Sequence, residues 1–173
     1  MCSRIHCARL ASLVVLGAGL GGCSYGFSSS LLPGHIKSVA VPLMGNGTDR
    51  ADLSTALADS LTEAFIDDHT LKVVGEKAAD SLIEGTILEY RWGPFAVDEK
   101  ERVTEYKVEI VVEVRFVDAR KNTVIWEEKR LSQWSTYNFV PVGGREAETE
   151  DIGIGRALAK LTDDILNRTV EGW

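Results

Sequence analysis

The stretch Thr104 to Asp118 alternates apolar and charged residues more cleanly than any other part of the chain, and it limits what the rest can become. Tyr106, Val108, Ile110, Val112, Val114 and Phe116 fall on one side of an extended strand. Lys107, Glu109, Glu113 and Arg115 fall on the other, with Val111 and Val117 as breaks in the charged row. Such a strand has one dry face and one wet face. Lipid is excluded from the wet side, because a lipid-facing strand position tolerates Lys or Arg badly. A slip of one residue would turn the whole apolar row into water, so the pairing is well specified and neighbouring strands take their register from this one.

The elements around it follow from period and punctuation. A first strand is expected at Ile36 to Leu43, with Val39 and Val41 inward and Pro42 marking an edge or a strand end. Gly45 to Thr48 reads as a turn, and Thr48 or Asp49 as the cap of a helix from about Ala51 to Ile66 with the stripe Leu53, Ala56, Leu57, Leu61, Ala64 and Phe65. A short strand at Leu71 to Val74 completes a strand–helix–strand unit, whose right-handed crossover sets its two strands parallel. Strands at Leu82 to Trp92, at the long stretch itself and at Thr123 to Leu131 form an antiparallel meander, with turns at Ala96 to Val103 and Asp118 to Asn122. Phe139 to Arg145 breaks the pattern. Thr149, Glu150 and Asp151 open a last helix carrying Ile154, Ala157, Leu158, Leu161, Ile165 and Leu166 on one side. The expected fold is α+β, a two-layer sandwich in the order β-α-β-β-β-β-α. Two amphipathic helices cover one face of a mixed, mostly antiparallel sheet, the face lined by Val108 to Phe116.

The N-terminus is a different kind of sequence. Arg4 and Arg9 precede an apolar run from Leu10 to Leu20, and no acidic residue occurs before Asp49. The run is shorter than the roughly 20 residues a bilayer span needs, and its basic flank is that of a secretory signal. Leu20-Gly21-Gly22-Cys23 resembles the lipobox of bacterial lipoproteins, where the Cys thiol takes a diacylglycerol before cleavage. Residues 1–22 are therefore expected to be a signal peptide, 23–34 a lipidated Cys with a Ser- and Gly-rich tether, and 35–173 a single folded domain. Ser24, rather than Asp, after the modified Cys implies export to the outer membrane by the lipoproteins' sorting logic. Loss of Arg4 and Arg9 takes the formal charge from −7 to −9, which argues against nucleic acid as a partner.

No catalytic or metal-binding spacing is evident. His35 and His69 stand apart from any ligand pattern, and Asp67-Asp68-His69 directly follows a helix end. Gly45-Asn46-Gly47-Thr48 lacks the Lys of a phosphate-binding loop. Glu146, Glu148, Glu150 and Asp151 read as a solvated helix start, with no Gly placed for a calcium loop. Neither an enzyme nor a cofactor-binding protein is indicated, apart from the covalent diacylglycerol and acyl chain (palmitate) expected on Cys23.

Several segments in order carry a family likeness: Leu32-Pro33-Gly34-His35-Ile36-Lys37; Val39-Ala40-Val41-Pro42-Leu43 with Asn46 and Thr48; Leu71-Lys72-Val73-Val74; Ala79 to Gly85; Val103-Thr104-Glu105-Tyr106; Val124 to Glu128; and Ile165 to Trp173. Together they resemble the LptE family of lipopolysaccharide-assembly lipoproteins, with a departure at Met44 and Gly45 in a turn. The resemblance implies a lipoprotein on the periplasmic side of the outer membrane. Such a protein plugs and helps assemble the LptD β-barrel translocon and assists lipopolysaccharide delivery to the outer leaflet. Its partners are then the barrel, lipopolysaccharide, and the membrane through the lipid anchor. A periplasmic lipoprotein that activates or scaffolds a cell-wall enzyme is the rival class, since such families also open with a Val-Ala-Val strand and an amphipathic helix. An acidic chain meets a lipopolysaccharide phosphate only through a local basic cluster. Arg120 with Lys121 in a turn tip, and Lys129 with Arg130 on the next strand, are the candidates.

Overall fold

The computed structural model describes residues 32–171, so Cys23, the signal segment, most of the tether and the last two residues lie outside the described residues. The elements are β1 (Ser38–Ala40), β2 (Gly45–Asn46), α1 (Asp52–Asp68), β3 (Lys72–Val73), β4 (Ser81–Val97), β5 (Val103–Asp118), β6 (Thr123–Asn138) and α2 (Glu150–Val170). They form one mixed sheet of order β3-β1-β4-β5-β6, with β2 continuing along the β4 edge that β1 begins. β1 runs parallel to both β3 and β4, as the crossover through α1 requires, while β4, β5 and β6 form the antiparallel meander.

β5 is the alternating stretch, and its faces are those expected. Val108, Ile110, Val112, Val114 and Phe116 are fully buried, and α2 packs directly on β5. α1 contributes Leu53, Leu57, Leu61 and Phe65, and α2 contributes Ile154, Ala157, Leu158, Leu161 and Ile165, so the core is one cluster between two layers. The helices touch each other through a bond between the Ser60 and Thr162 hydroxyls at 2.9 Å. Gly153 brings the start of α2 down onto the sheet, since a Cβ there would sit 2.8 Å from Tyr137 Cδ1. On the wet face, Val111 is buried although its neighbours are charged. The Arg130–Glu89 ion pair, 2.5 Å long, reaches from β6 to β4 across β5 at that level.

Four local expectations are corrected. The first strand stops at Ala40, because Pro42 has no N–H to give, and pairing resumes on the same β4 edge at Gly45–Asn46, within the stretch whose sequence signals only a turn. α1 begins from Ala51 without a side-chain cap, and Thr48 Oγ1 instead accepts from the Arg50 N–H at 3.3 Å inside the preceding turn. β4 and β6 run on to Val97 and Asn138, well past Trp92 and Leu131. The start of α2 is not simply solvated. Glu148 binds Arg156 and Glu150 binds Arg50, each partly buried.

Candidate functional site

The end of the sheet where the described chain enters holds a buried polar knot built from residues far apart in sequence. Asp80 is 6% exposed and precedes β4; it accepts from the Lys37 N–H and the Ser38 hydroxyl, both at 3.0 Å. Arg120, in the β5–β6 turn, folds back to form an ion pair with the same carboxylate. Beside it, Asp118 is 1% exposed and accepts from His35 Nε2 at 2.6 Å and from the N–H groups of Arg120 and Lys121 at 3.0 Å each. The Lys37 N–H, the Ser38 hydroxyl and Arg120 outweigh the burial of Asp80 and hold its carboxyl below the usual carboxylate range. Burial pushes Asp118 up, but the Lys121 N–H, His35 and the Arg120 N–H overcome it and leave the group lowered. These groups fasten the chain entry to the start of β4 and the β5–β6 turn. Every carboxylate oxygen so engaged is committed to structure rather than to a ligand.

The four predicted basic residues are therefore not equivalent. Arg120 is clasped by Asp80, and Arg130 by Glu89. Lys121 stands exposed at the turn, and Lys129 stands exposed at the bulge where β6 passes Glu113. The structure separates the two pairs, one in a turn and one within a strand, so they do not make a single cluster.

A second group of cations escaped the sequence reading. On the wet face, Lys107 lies 5.1 Å from the centroid of Trp134, and Lys160 reaches round from α2 to within 5.3 Å of the same ring. Phe95 packs on Trp134 with centroids 5.9 Å apart, and Arg91 pairs with Glu89 and with Glu109. The signal was present in the alternation, since Lys107 and Arg91 occupy wet-face positions. Their convergence on an exposed aromatic depends on strand pairing and on a helix that comes later in the chain.

The remaining sequence candidates resolve as local structure. His69 ends α1 in a left-handed conformation and its Nδ1 meets the Asp67 carbonyl at 2.5 Å, while Asp68 accepts from the Thr70 N–H at 3.1 Å. Asn46 Oδ1 accepts from the N–H and hydroxyl of Thr48, at 2.9 and 2.8 Å, an ordinary side-chain turn. Among the described residues no group of His, Cys, Asp and Glu is arranged to hold a metal, and no helix is long and apolar enough to cross a membrane.

A family model described as LptE, lipopolysaccharide-assembly, matches residues 36–169. The chain belongs to the LptE family. That family is not one of enzymes or of cofactor-binding proteins, and its work is lipopolysaccharide assembly. None of the curated proteins matches the chain. Among solved structures it is similar to an uncharacterized lipoprotein B from Nitrosomonas europaea, at 17% identity and TM-score 0.54, covering 80% of this chain and 84% of that one. A putative lipoprotein from Caulobacter crescentus matches at 17% identity and TM-score 0.50, over 72% of this chain and 83% of that one. Protein XCC0632 from Xanthomonas campestris matches at 11% identity and TM-score 0.54, over 80% and 88%. At these identities the likeness concerns the fold.

Proposed function

We propose that this LptE-family chain is an outer-membrane lipoprotein that plugs and helps assemble a β-barrel translocon of the LptD kind and assists lipopolysaccharide delivery to the outer leaflet. The observation that carries the reading is the family match over residues 36–169. Two physical features support it. A domain of this length has a radius of gyration of about 15 Å, which only a barrel with a very wide lumen accommodates. The wet face, with its charges paired among themselves, suits a polar barrel interior. Affinity purification of the full chain from outer membranes tests it. Recovery of a large barrel protein is expected, and recovery of a cell-wall synthase in its place overturns the reading.

In this proposal residues 1–22 are removed, Cys23 is lipidated, residues 23–34 tether the domain of 35–173, and Ser24 directs it to the periplasmic leaflet of the outer membrane. Globomycin then makes the larger precursor accumulate, and an unchanged mature size under the drug contradicts the anchor. The proposed lipopolysaccharide contact keeps Arg120, Lys121, Lys129 and Arg130 but places its weight on the two exposed lysines. Arg120→Glu would set a second acid against Asp80 and disturb the fold, so the clean probe is Lys121→Glu combined with Lys129→Glu. Weaker lipopolysaccharide binding at low salt, where a phosphate contact is strongest, is expected of that double variant. Unchanged binding removes these residues from consideration.

A further inference from the structure

The segment between the expected anchor and the fold holds two residues that a tethering role leaves unexplained. Residues 24–31, which lie outside the described residues, read Ser-Tyr-Gly-Phe-Ser-Ser-Ser-Leu. A linker that serves only as a spacer is Gly- and Ser-rich and needs no aromatic ring. Tyr25 and Phe27 are two positions apart, so both fall on one side of an extended segment. Rings so placed leave water favourably wherever an apolar surface is within reach.

A surface of that kind lies at the end of the sheet where the chain enters the fold. The last turn of α1 and the β3 strand leave between them an open groove of about 450 Å³, walled by Phe65, Ile66, Leu71 and Val73 together with His69 and Lys72. Phe65 and Leu71 are buried, whereas Ile66 is 54% exposed. β3 is the outermost strand on its side, and no strand among the described residues pairs with its outer edge.

The groove is within reach of the tether. The Lys72 N–H donates to the Lys37 carbonyl at 3.0 Å, so the β3 wall stands one strand from the entering chain. The entry itself is fastened: Leu32 packs on the core, the Ile36 N–H closes a turn on the Pro33 carbonyl at 2.9 Å, and His35 is held to Asp118. Even from β5, where His35 is held, β3 lies three strand spacings away, about 14 Å. The five residue steps from Leu32 back to Phe27 cover about 17 Å when extended. Phe27 therefore reaches the groove with the entry left as it is, and Tyr25 reaches it with length to spare.

We infer that Phe27, with Tyr25 beside it, folds back into the groove between α1 and β3 and so holds the tether against the domain. Covalent attachment selects this occupant, because a ring on a short linker is present at a millimolar effective concentration that a second copy in dilute solution does not match. An anionic lipid surface is a poorer occupant, since Asp67 and Asp68 close the same helix end and repel it. The consequence rests on the reading of Cys23 as the lipid anchor. Only four residue steps, about 14 Å when extended, then separate the lipidated Cys23 from the docked ring, and the α1–β3 side of the fold faces the leaflet.

With residues 1–22 removed and Cys23 acylated, the chain has no thiol of its own, so two introduced cysteines report their own encounter. The full lipidated chain carries Ser28→Cys together with either Lys72→Cys beside the groove or Lys121→Cys in the β5–β6 turn at the same end of the sheet. Under mild oxidation, replacing both rings (Tyr25→Ser with Phe27→Ser) is expected to slow the disulfide to position 72 about tenfold and not to slow the one to position 121. All four substitutions lie in the tether or at exposed positions, outside the core. A rate to position 72 that is indifferent to the rings, or an equal slowing at both positions, overturns the docked tether. Disulfides that link separate molecules and increase with concentration overturn the tether as occupant. The mass of the same mature chain reports the acyl group: its absence contradicts the anchor and the orienting consequence, while the disulfide rates still decide the groove.

Discussion

Gly85 lies in β4 opposite Val114, and a methyl group there would fall 2.3 Å from the Glu113 carbonyl oxygen and 3.3 Å from Val114 Cα. A carbon-to-oxygen contact relaxes at about 3.3 Å, so β4 and β5 must part locally by about 1 Å. The obstructing atom belongs to the backbone of the central strand, which has no rotamer by which to yield. Overpacking of this kind costs about 1–3 kcal/mol, and stretching one or two ladder bonds adds about 1 kcal/mol, so Gly85→Ala is expected to lose about 2–4 kcal/mol. At about 2–4 °C per kcal/mol for a domain of this size, the melting temperature falls by about 10 °C. The control is the same substitution at Gly155, exposed in α2 with nothing within 4 Å of the added Cβ. There helix propensity favours Ala by about 1 kcal/mol, so Gly155→Ala melts about 3 °C higher. Thermal melts followed by circular dichroism read both. A Gly85→Ala variant within 2 °C of the parent, or equal losses at the two positions, would refute the strand contact on which the estimate rests.

Further outcomes follow from the core and the charged knots. Ile110→Asp buries an unpaired carboxylate between sheet and helices and should unfold the domain, whereas Glu109→Ala, which loses bonds to Ser132 and Lys107 on the wet face, costs about 1 kcal/mol or less; similar melting temperatures for the two would mean that the faces are reversed. The Arg156 guanidinium and the Asn138 N–H hold the Glu148 carboxyl at about 2, below its ordinary 4.5. Its contribution to stability is therefore complete above pH 4.5 and drains away as the pH falls toward 2. Arg156→Met should accordingly lose less stability than the parent across that window in melts taken at a series of acid pH values.

β5 was legible in sequence almost to the residue because alternation, burial and charge all agree there. The helices were legible because each has an unbroken apolar stripe. The distal ends of β4 and β6, past Trp92 and Leu131, were not, since Gly93-Pro94-Phe95 and Ser132-Gln133-Trp134-Ser135 carry no period of their own and are extended because β5 offers them a ladder. The same limit applies to the sites. Arg120 was legible as a turn cation, but its partner Asp80 comes at the head of another strand, and His35 meets Asp118 across 83 positions. Free and clasped cations look alike in a sequence. The aromatic that gathers Lys107 and Lys160 does so only once the strands and the last helix are assembled.

If the chain serves lipopolysaccharide delivery as proposed, the lipopolysaccharide exposed on the surface of cells depleted of it reports that role most directly. In such cells newly made lipopolysaccharide is expected to stop reaching the outer leaflet and to accumulate behind it while cell-wall precursor incorporation continues. Undiminished surface lipopolysaccharide together with an early fall in cell-wall incorporation would contradict it.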